Sequence, residues 1–179
     1  MIGVLVSGGG TNLQALLDAE LPVVAVASNK RDAPALARAP HVPTASFELR
    51  DHPDRAARDE AMADWLQQQG VELVVLAGYM HILTPSFLDR FPQRVLNVHP
   101  SLLPAFPGAH AVKEQLAAGV AESGVTVHLV DEGVDTGPIL LQEPVPVLDG
   151  DTVETLHERI KSVEHRLLPQ AVEGLLCAR

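Results

Sequence analysis

The sequence predicts a single-domain α/β fold of the doubly wound type over residues 1–179, with a mostly parallel sheet and helices on both faces. Short apolar runs alternate with amphipathic segments along the chain, without repeats or low-complexity linkers. Several runs are β-branched without polar alternation, which is typical of strands that helices cover on both sides. Alternating strands and helices favour a parallel, doubly wound sheet. A chain of this length buries roughly 70% of its unfolded surface.

Seven strands are predicted from apolar runs that turn residues or polar residues bound, at 2–7, 23–28, 42–47, 73–77, 95–98, 125–130 and 139–142. Amphipathic segments predict six helices at 11–19, 33–39, 54–69, 85–90, 111–118 and 152–176. Asp151 and Glu154 resemble a capping pair at the start of the last helix. Ligands of doubly wound folds bind beyond the carboxyl ends of the strands. The loops 7–12, 78–84 and 99–108 are therefore candidate site segments.

Composition excludes several classes of function. The chain has 13 Lys and Arg against 23 Asp and Glu, a net charge of −10, which argues against a broad nucleic-acid surface. Cys177 is the single cysteine, so no internal disulfide or cysteine-rich zinc site is expected. The eight histidines lack ligand spacing, and we expect no metal. No signal peptide or membrane span is recognisable, so we expect a cytoplasmic protein.

The first loop predicts a phosphate site. Gly8, Gly9 and Gly10 follow a strand and precede a helix, and glycines allow close approach of the backbone to a ligand. A helix N-terminus offers free N–H groups to an anion. Leu13 stands where a dinucleotide fingerprint has its third glycine, and the Gly-Lys-Ser/Thr of a P-loop is absent. The alternative is a tight turn without a ligand.

Asn97, His99 and Asp135 are the catalytic candidates. Asn97 and His99 are two residues apart at the end of a predicted strand, so their side chains project to one side. An amide and an imidazole suit the stabilisation of negative charge on a carbonyl oxygen. Asp135 lies in a turn-rich segment and, placed against the histidine, would favour its charged form. The alternative is a structural histidine.

Other catalytic devices fit poorly. Leu5 replaces the first glycine of a nucleophile elbow, and His-Glu-x-x-His does not occur. Cys177 has no identifiable partner. Acyl-type transfer without a covalent enzyme intermediate remains the best class.

Glu164 is a further candidate on the last predicted helix. It lies four residues after Ile160, in line with an apolar stripe. One interpretation is a surface ion pair with Lys161, and the other is contact with a ligand.

Six segments together resemble the phosphoribosylglycinamide formyltransferases, the folate-dependent enzymes of purine synthesis. They are Ser-Gly-Gly-Gly-Thr-Asn-Leu-Gln (7–14), Ser-Asn-Lys (28–30), Leu-Ala-Gly-Tyr-Met (76–80), Asn-Val-His-Pro-Ser-Leu-Leu-Pro (97–104), Gly-Val-Thr-Val-His (124–128) and Asp-Thr-Gly-Pro-Ile (135–139). The resemblance covers nearly the whole chain. It implies a Rossmann-like formyltransferase domain whose N-terminal half binds nucleotide and whose C-terminal half binds folate and carries the catalytic loop.

The resemblance also implies an activity and residue roles. A formyl group would pass from N10-formyltetrahydrofolate, as co-substrate, to the amine of glycinamide ribonucleotide through a tetrahedral intermediate. Asn97, His99 and Asp135 would be catalytic. The nucleotide would contact Gly10, Thr11, Asn12, Leu13 and Glu164, and the folate would contact Arg55, Met80, His81, Ile82, Leu83, Asn97, Asp131 and Val134. Relatives usually carry Arg where this chain has His81. We expect a monomer or weak homodimer that binds neither nucleic acid nor membranes.

Three rivals remain open at this point. Formyltetrahydrofolate hydrolase has a similar core with an extra N-terminal regulatory domain, whereas this chain starts at its first strand. Methionyl-tRNA formyltransferase shares several of the motifs, but needs a further domain and a tRNA-compatible surface. A non-catalytic nucleotide-binding sensor would use the glycine loop alone.

Overall fold

One seven-stranded sheet organises the molecule. The computed structural model describes residues 1–178, and its strand order is β3-β2-β1-β4-β5-β6-β7. The strands are β1 (Ile2–Val6), β2 (Val23–Ser28), β3 (Thr44–Ser46), β4 (Leu73–Leu76), β5 (Val95–His99), β6 (Glu122–Leu129) and β7 (Ile139–Pro146). The first five strands pair in parallel, and β6 and β7 pair antiparallel. The predicted mostly parallel α/β sheet is therefore confirmed.

Helices cover both faces of this sheet. They are α1 (Thr11–Asp18), α2 (Arg55–Gln68), α3 (Pro85–Leu88), α4 (Ala111–Ala118) and α5 (Val153–Cys177). One core cluster joins Val4 of β1 to Leu13 of α1 and Ile160 of α5. The other joins Leu5 of β1 to Met62 of α2. Successive residues of β1 thus pack into core clusters on opposite faces of the sheet, because side chains alternate along a strand.

Some elements differ from the predicted ones in length or type. The predicted helix 33–39 is a short 3₁₀ helix, Pro34–Arg38, and the predicted strand 42–47 is only Thr44–Ser46. A second 3₁₀ turn, Leu49–Asp51, was not predicted. Strand β7 extends through Pro144 and Pro146, which an edge strand tolerates since its outer N–H groups need no partner.

The start of α5 is capped differently from the prediction. Thr152 is the N-cap, and its hydroxyl accepts from Thr155 N–H while the Thr155 hydroxyl accepts from Thr152 N–H. The expected Asp151–Glu154 capping pair is wrong. Asp151 instead accepts from both Arg159 guanidinium nitrogens, at 2.7 and 2.9 Å.

Three loops meet at one edge of the sheet. Strands β1, β4 and β5 are parallel neighbours, so the loops that follow them leave the sheet on the same side. Met80 N–H, after β4, donates to Ser7 Oγ, after β1, at 2.9 Å.

In residues 1–178, no helix is both long and apolar enough to cross a membrane.

Candidate active site

Strand β5 places Asn97 and His99 on the face of the sheet that α2 and α3 cover. Val95, two residues before Asn97, packs in the core cluster of α2 and α3. Because side chains alternate, Asn97 and His99 project from that same face. His99 is only 4% exposed. Both candidates therefore lie where the apolar cover of this face ends.

The carboxylate of Asp135 joins the two candidates in space. Its Oδ2 lies 3.3 Å from His99 Nδ1 and accepts Gly108 N–H at 2.8 Å. Its Oδ1 lies 3.4 Å from Asn97 Nδ2 and 3.5 Å from His128 Nε2. The structure thus brings together all three residues that the sequence singles out.

The loop between β6 and β7 is shaped to deliver this carboxylate. Asp135 has a φ of +54°, in the left-handed region. A side chain at Gly137 would collide with the backbone oxygen of Leu129, so glycine is required there. Asp131 accepts from Thr136 Oγ1 at 2.7 Å and folds the loop on itself. The side chain of Asp131, a predicted folate contact, is therefore engaged within its own loop.

The surroundings of Asp135 hold it in the charged state. Desolvation by partial burial raises the pKa of this carboxyl. The hydrogen bond from His128, the backbone N–H of Gly108 and the charge of His99 outweigh that effect and lower the pKa to about 2. The carboxylate is therefore a permanent negative charge at neutral pH.

Both ring nitrogens of His99 face acceptor oxygens. Nε2 lies 2.7 Å from the backbone oxygen of Phe106, and Nδ1 faces the carboxylate of Asp135. A carbonyl and an ionised carboxylate only accept hydrogen bonds. Each ring nitrogen therefore has a hydrogen-bond acceptor within reach, and the orientation of the ring is fixed from both sides.

The 100–108 segment that supplies Phe106 is tied to the neighbouring strands. Thr126 Oγ1 donates to the backbone oxygen of Ser101 at 2.7 Å, and Gln142 Nε2 donates to that of Leu103 at 3.0 Å. Gln115 of α4 donates to the backbone oxygen of Pro100 at 2.9 Å. The acceptor that faces His99 is thereby held in place.

His128 is a site residue that the sequence predictions do not include. It stands opposite Asn97 in the antiparallel register of β5 and β6. Its Nδ1 donates to the backbone oxygen of Leu129 at 2.8 Å, which leaves Nε2 to face Asp135. His128 ends the segment 124–128 that carries part of the resemblance, but its role depends on strand register, which that segment does not reveal.

The glycine loop has the geometry of an anion site. Gly10 has a φ of +74°, and a Cβ there would lie 2.5 Å from the Cβ of Ala35. Helix α1 starts at Thr11 without a side-chain cap, and its first internal backbone bond runs from Gln14 N–H to Gly10. The N–H groups of residues 11–13 precede that bond and lack intrahelical acceptors. The expected phosphate turn, Gly10 to Leu13, is therefore geometrically sound.

Glu164 faces inward towards this loop. Its side chain accepts from Asn12 Nδ2 at 3.0 Å, and the residue is 6% exposed. Desolvation raises the pKa of the Glu164 carboxyl, although the Asn12 hydrogen bond opposes the shift. The predicted alternative, an ion pair between Glu164 and Lys161, is wrong, since Lys161 Nζ donates to Glu158 at 2.8 Å. The Oδ1 of Asn12 is buried without a hydrogen-bond partner among residues 1–178.

An open cleft of about 750 Å³ lies beside α2 and the 78–84 loop. The cleft is lined by three of the predicted folate contacts, Arg55, Ile82 and Leu83, together with Glu132 of the loop between β6 and β7. Arg55 Nη2 donates to the backbone oxygen of Ile82 at 2.6 Å. Ile82 is 55% exposed. An arginine beside exposed apolar groups suits a flat, apolar ligand that carries carboxylates.

The other predicted folate contacts differ in where they point. Met80 and Val134 are 67% and 48% exposed. The side chain of His81 turns away from the cleft lining, with Arg58 at its Nδ1 and Asn29 at its Nε2. Only the backbone of His81 is left to serve the cleft.

A second open cleft, of about 670 Å³, includes Arg31 and Arg50. Both arginines are already paired, with Asp51 and Glu48 respectively. The second cleft therefore has less unpaired positive charge for a carboxylate ligand than the first cleft.

Among residues 1–178, no group of three or more His, Cys, Asp or Glu side chains is placed to hold a metal ion.

Comparison with known proteins agrees with this geometry. The formyl transferase family model matches residues 1–172. The phosphoribosylglycinamide formyltransferase of Mycobacterium tuberculosis is 53% identical over 178 residues, covering 96% of this chain and 83% of the relative.

Solved structures give the same result. Glycinamide ribonucleotide transformylase 1 from Symbiobacterium toebii superposes with a TM-score of 0.93 at 51% identity, covering 96% of this chain and 84% of the other. Phosphoribosylglycinamide formyltransferase from Streptococcus pneumoniae superposes with a TM-score of 0.94 at 42% identity, covering 98% of each chain.

The chain therefore belongs to the formyl transferase family. The predicted resemblance and the predicted enzyme class are confirmed. Within the family, the relatives that match over nearly the whole of this chain and over most of their own length carry the name phosphoribosylglycinamide formyltransferase, a formyl-transfer enzyme of purine biosynthesis.

Proposed function

We propose that this protein transfers the formyl group of N10-formyltetrahydrofolate directly to the amine of glycinamide ribonucleotide. The observation that carries the proposal is the carboxylate of Asp135, which lies against Asn97, His99 and His128. The match to phosphoribosylglycinamide formyltransferases over 96% of the chain supports the choice of substrates. No covalent intermediate with the enzyme is needed.

Attack of the amine on the formyl carbon develops negative charge on the formyl oxygen. Asn97 Nδ2 carries two hydrogens and lies 3.4 Å from both Asp135 Oδ1 and His128 Nε2, and in the proposed reaction one of these hydrogens turns to that oxygen. A protonated His99 beside Asp135 stabilises the same oxyanion. Asp135 orients a water molecule that relays the proton of the amine to N10 as the bond between the formyl carbon and N10 breaks, and tetrahydrofolate is released.

The two substrates bind on different sides of the proposed site. On the nucleotide side, residues 10–13 hold the phosphate at the start of α1, and Glu164 reaches them from α5 to contact the nucleotide. On the folate side, the loop between β6 and β7, which places Glu132 in the cleft lining, contacts the folate through Asp131 and Val134. Arg55 and the 80–83 segment form the opposite wall. Holding both substrates in register contributes several kcal/mol, up to about 7–11 kcal/mol in ideal cases.

One assay tests this assignment. Purified protein is given N10-formyltetrahydrofolate, and release of tetrahydrofolate is followed with and without glycinamide ribonucleotide. We expect turnover that depends on the nucleotide and yields the formylated nucleotide. Turnover without nucleotide would indicate a hydrolase, and binding without turnover would indicate a sensor.

Assembly and location remain predictions. We expect a monomer or weak homodimer in the cytoplasm that does not bind nucleic acid or membranes. Sedimentation velocity over a range of micromolar concentrations would reveal the oligomeric state.

A further inference from the structure

The imidazole of His81 lies in a chain of polar contacts that the proposed reaction does not use. Arg58 Nη1 contacts its Nδ1, and the amide nitrogen of Asn29 lies 3.2 Å from its Nε2. The other end of that amide lies 2.6 Å from Ser7 Oγ, which also accepts from Met80 N–H at 2.9 Å. The chain therefore runs from α2 to the first residue of the glycine loop.

Arg58 decides which nitrogen of His81 carries hydrogen. A guanidinium only donates hydrogen bonds, so Nδ1 must accept. The neutral ring then carries its hydrogen on Nε2. The opposite tautomer and the imidazolium would each set an N–H against the guanidinium.

The hydrogen on Nε2 in turn decides the orientation of Asn29. The oxygen and nitrogen ends of a carboxamide have nearly the same shape, so hydrogen bonding determines which end faces which partner. The structure sets the amide nitrogen of Asn29 towards His81 and its oxygen towards Ser7 Oγ, which would place two donors face to face at Nε2. With the amide turned so that its oxygen faces His81, its N–H₂ donates to Ser7 Oγ. Ser7 then accepts from both Asn29 and Met80. No donor faces another donor in this arrangement, whereas every other combination leaves at least one such clash.

The groups around His81 favour its neutral form. Arg58 is 0% exposed and lies 2.7 Å from Asp59, so it is fixed in place. Burial lowers the pKa of His81, and the charges of Arg58, Arg55 and, from the loop after β2, Lys30 lower it further. Asp59 opposes these effects without reversing them.

We propose that His81 is a positioning residue which, as its neutral Nε2–H tautomer, orders Asn29 and Ser7 and so ties the glycine loop to the 80–83 segment. The proposal rests on the proposed function only in assigning the nucleotide to that loop and the folate to that segment. According to the proposal, His81, which lies in the segment assigned to the folate, affects the affinity for the nucleotide.

Nitrogen-15 NMR of protein labelled at histidine tests the tautomer without any substrate. The signal of His81 is assigned by its loss in His81→Gln. We expect the Nε2–H tautomer at neutral pH. The Nδ1–H tautomer or an imidazolium at neutral pH would overturn the proposal, whether or not the proposed reaction is correct.

Calorimetric titration with glycinamide ribonucleotide tests the consequence. We expect His81→Phe to bind the nucleotide about five- to tenfold more weakly, since the hydrogen-bond chain is broken. His81→Gln retains both contacts, because its oxygen accepts from Arg58 and its nitrogen donates to Asn29, and we expect nearly full affinity. His41→Gln, at an exposed position, is the matched control and leaves the affinity unchanged.

The pH dependence separates positioning from a merely structural role. Acid protonates His81 in the wild type and breaks the chain, so nucleotide affinity falls with a step that His81→Gln lacks. Full affinity in His81→Phe, or the same step in His81→Gln, would overturn the proposal. If the wild type does not bind the nucleotide at all, the proposed function fails while the tautomer result stands.

Discussion

Two inward-facing carboxylates of this protein, Asp135 and Glu164, are held in opposite ways. Asp135 is surrounded by Asn97, His99, His128 and a backbone N–H, and its pKa falls to about 2. Glu164 has one hydrogen bond from a neutral amide, and burial raises its pKa. The number and charge of the donors, more than burial alone, set the charge of each group.

The difference indicates what each carboxylate does. Asp135 has its donors within the protein, so its charge is in place before any substrate binds. Glu164 and Asn12 leave polar capacity unused, because Asn12 Oδ1 has no partner among residues 1–178. A nucleotide with hydroxyl and amine donors would complete that pair. This difference supports the proposed roles, with Asp135 in the chemistry and Glu164 in nucleotide binding.

The largest expected effect is that of Asp135→Asn. The substitution removes the negative charge that faces His99 and Asn97, so we expect kcat to fall by about 10³-fold with little change in KM. Steady-state kinetics with both substrates gives the two parameters. Asp149→Asn, at an exposed position, is the control. A near-normal kcat for Asp135→Asn would remove Asp135 from the mechanism.

The second effect concerns Glu164→Ala. We expect nucleotide affinity to fall by about 10- to 100-fold, since the hydrogen bonds of the Glu164 carboxyl are lost and its buried partners are left unpaired, while the KM for the folate stays the same. Calorimetry with glycinamide ribonucleotide measures the affinity. Glu158→Ala, which removes the surface partner of Lys161, is the matched control. Equal affinity in wild type and Glu164→Ala would contradict the binding role.

The third prediction concerns stability in acid. The pKa of Asp135 is about 2 in the fold, below its ordinary value of 3.8. Its stabilising contribution is therefore present above pH 3.8 and is lost as the pH falls towards 2. We expect the advantage of the wild type over Asp135→Asn in free energy of unfolding to shrink by about 2 kcal/mol across this range. Urea unfolding of both proteins at several pH values measures this difference in free energy of unfolding. A difference that does not change with pH would show that the neighbours of Asp135 do not lower its pKa.

The smallest effect has the opposite sign. The pKa of Glu164 is raised above its ordinary value of 4.5, so its favourable contribution is present below pH 4.5 and is lost as the pH rises through the raised value. We expect the free energy of unfolding of wild type relative to Glu164→Gln to decline from pH 4.5 upwards. Parallel urea titrations of the two proteins would detect this. A rise over the same range would mean that Glu164 has a cationic partner.

Most of the fold could be predicted from the sequence, and the errors in that prediction have local causes. Apolar runs located all seven strands, because burial on both faces requires such runs in a parallel sheet. Pro43 shortened the third predicted strand, since proline removes a backbone donor. The cap of α5 was misplaced by one residue, because Asp151 and Thr152 are both good caps and Arg159 engages Asp151.

The candidate site was accessible only in part. Asn97, His99 and the glycine loop each show in a short stretch of sequence, because strand alternation and turn chemistry are local. Spacing offered no means of finding His128, which faces Asp135 through the register of β5 and β6. Likewise, nothing local indicated that the side chain of His81 turns from the cleft towards Asn29.

The order of apolar and polar residues, read along the chain, was therefore enough to establish the α/β architecture and to nominate Asn97, His99 and Asp135. Folding in three dimensions determined which donors surround Asp135 and Glu164, and hence why one carboxyl is held charged while the other resists ionisation. Periodicity acts over a few residues, whereas the charge of a buried group depends on every dipole and ion that packs against it from distant segments.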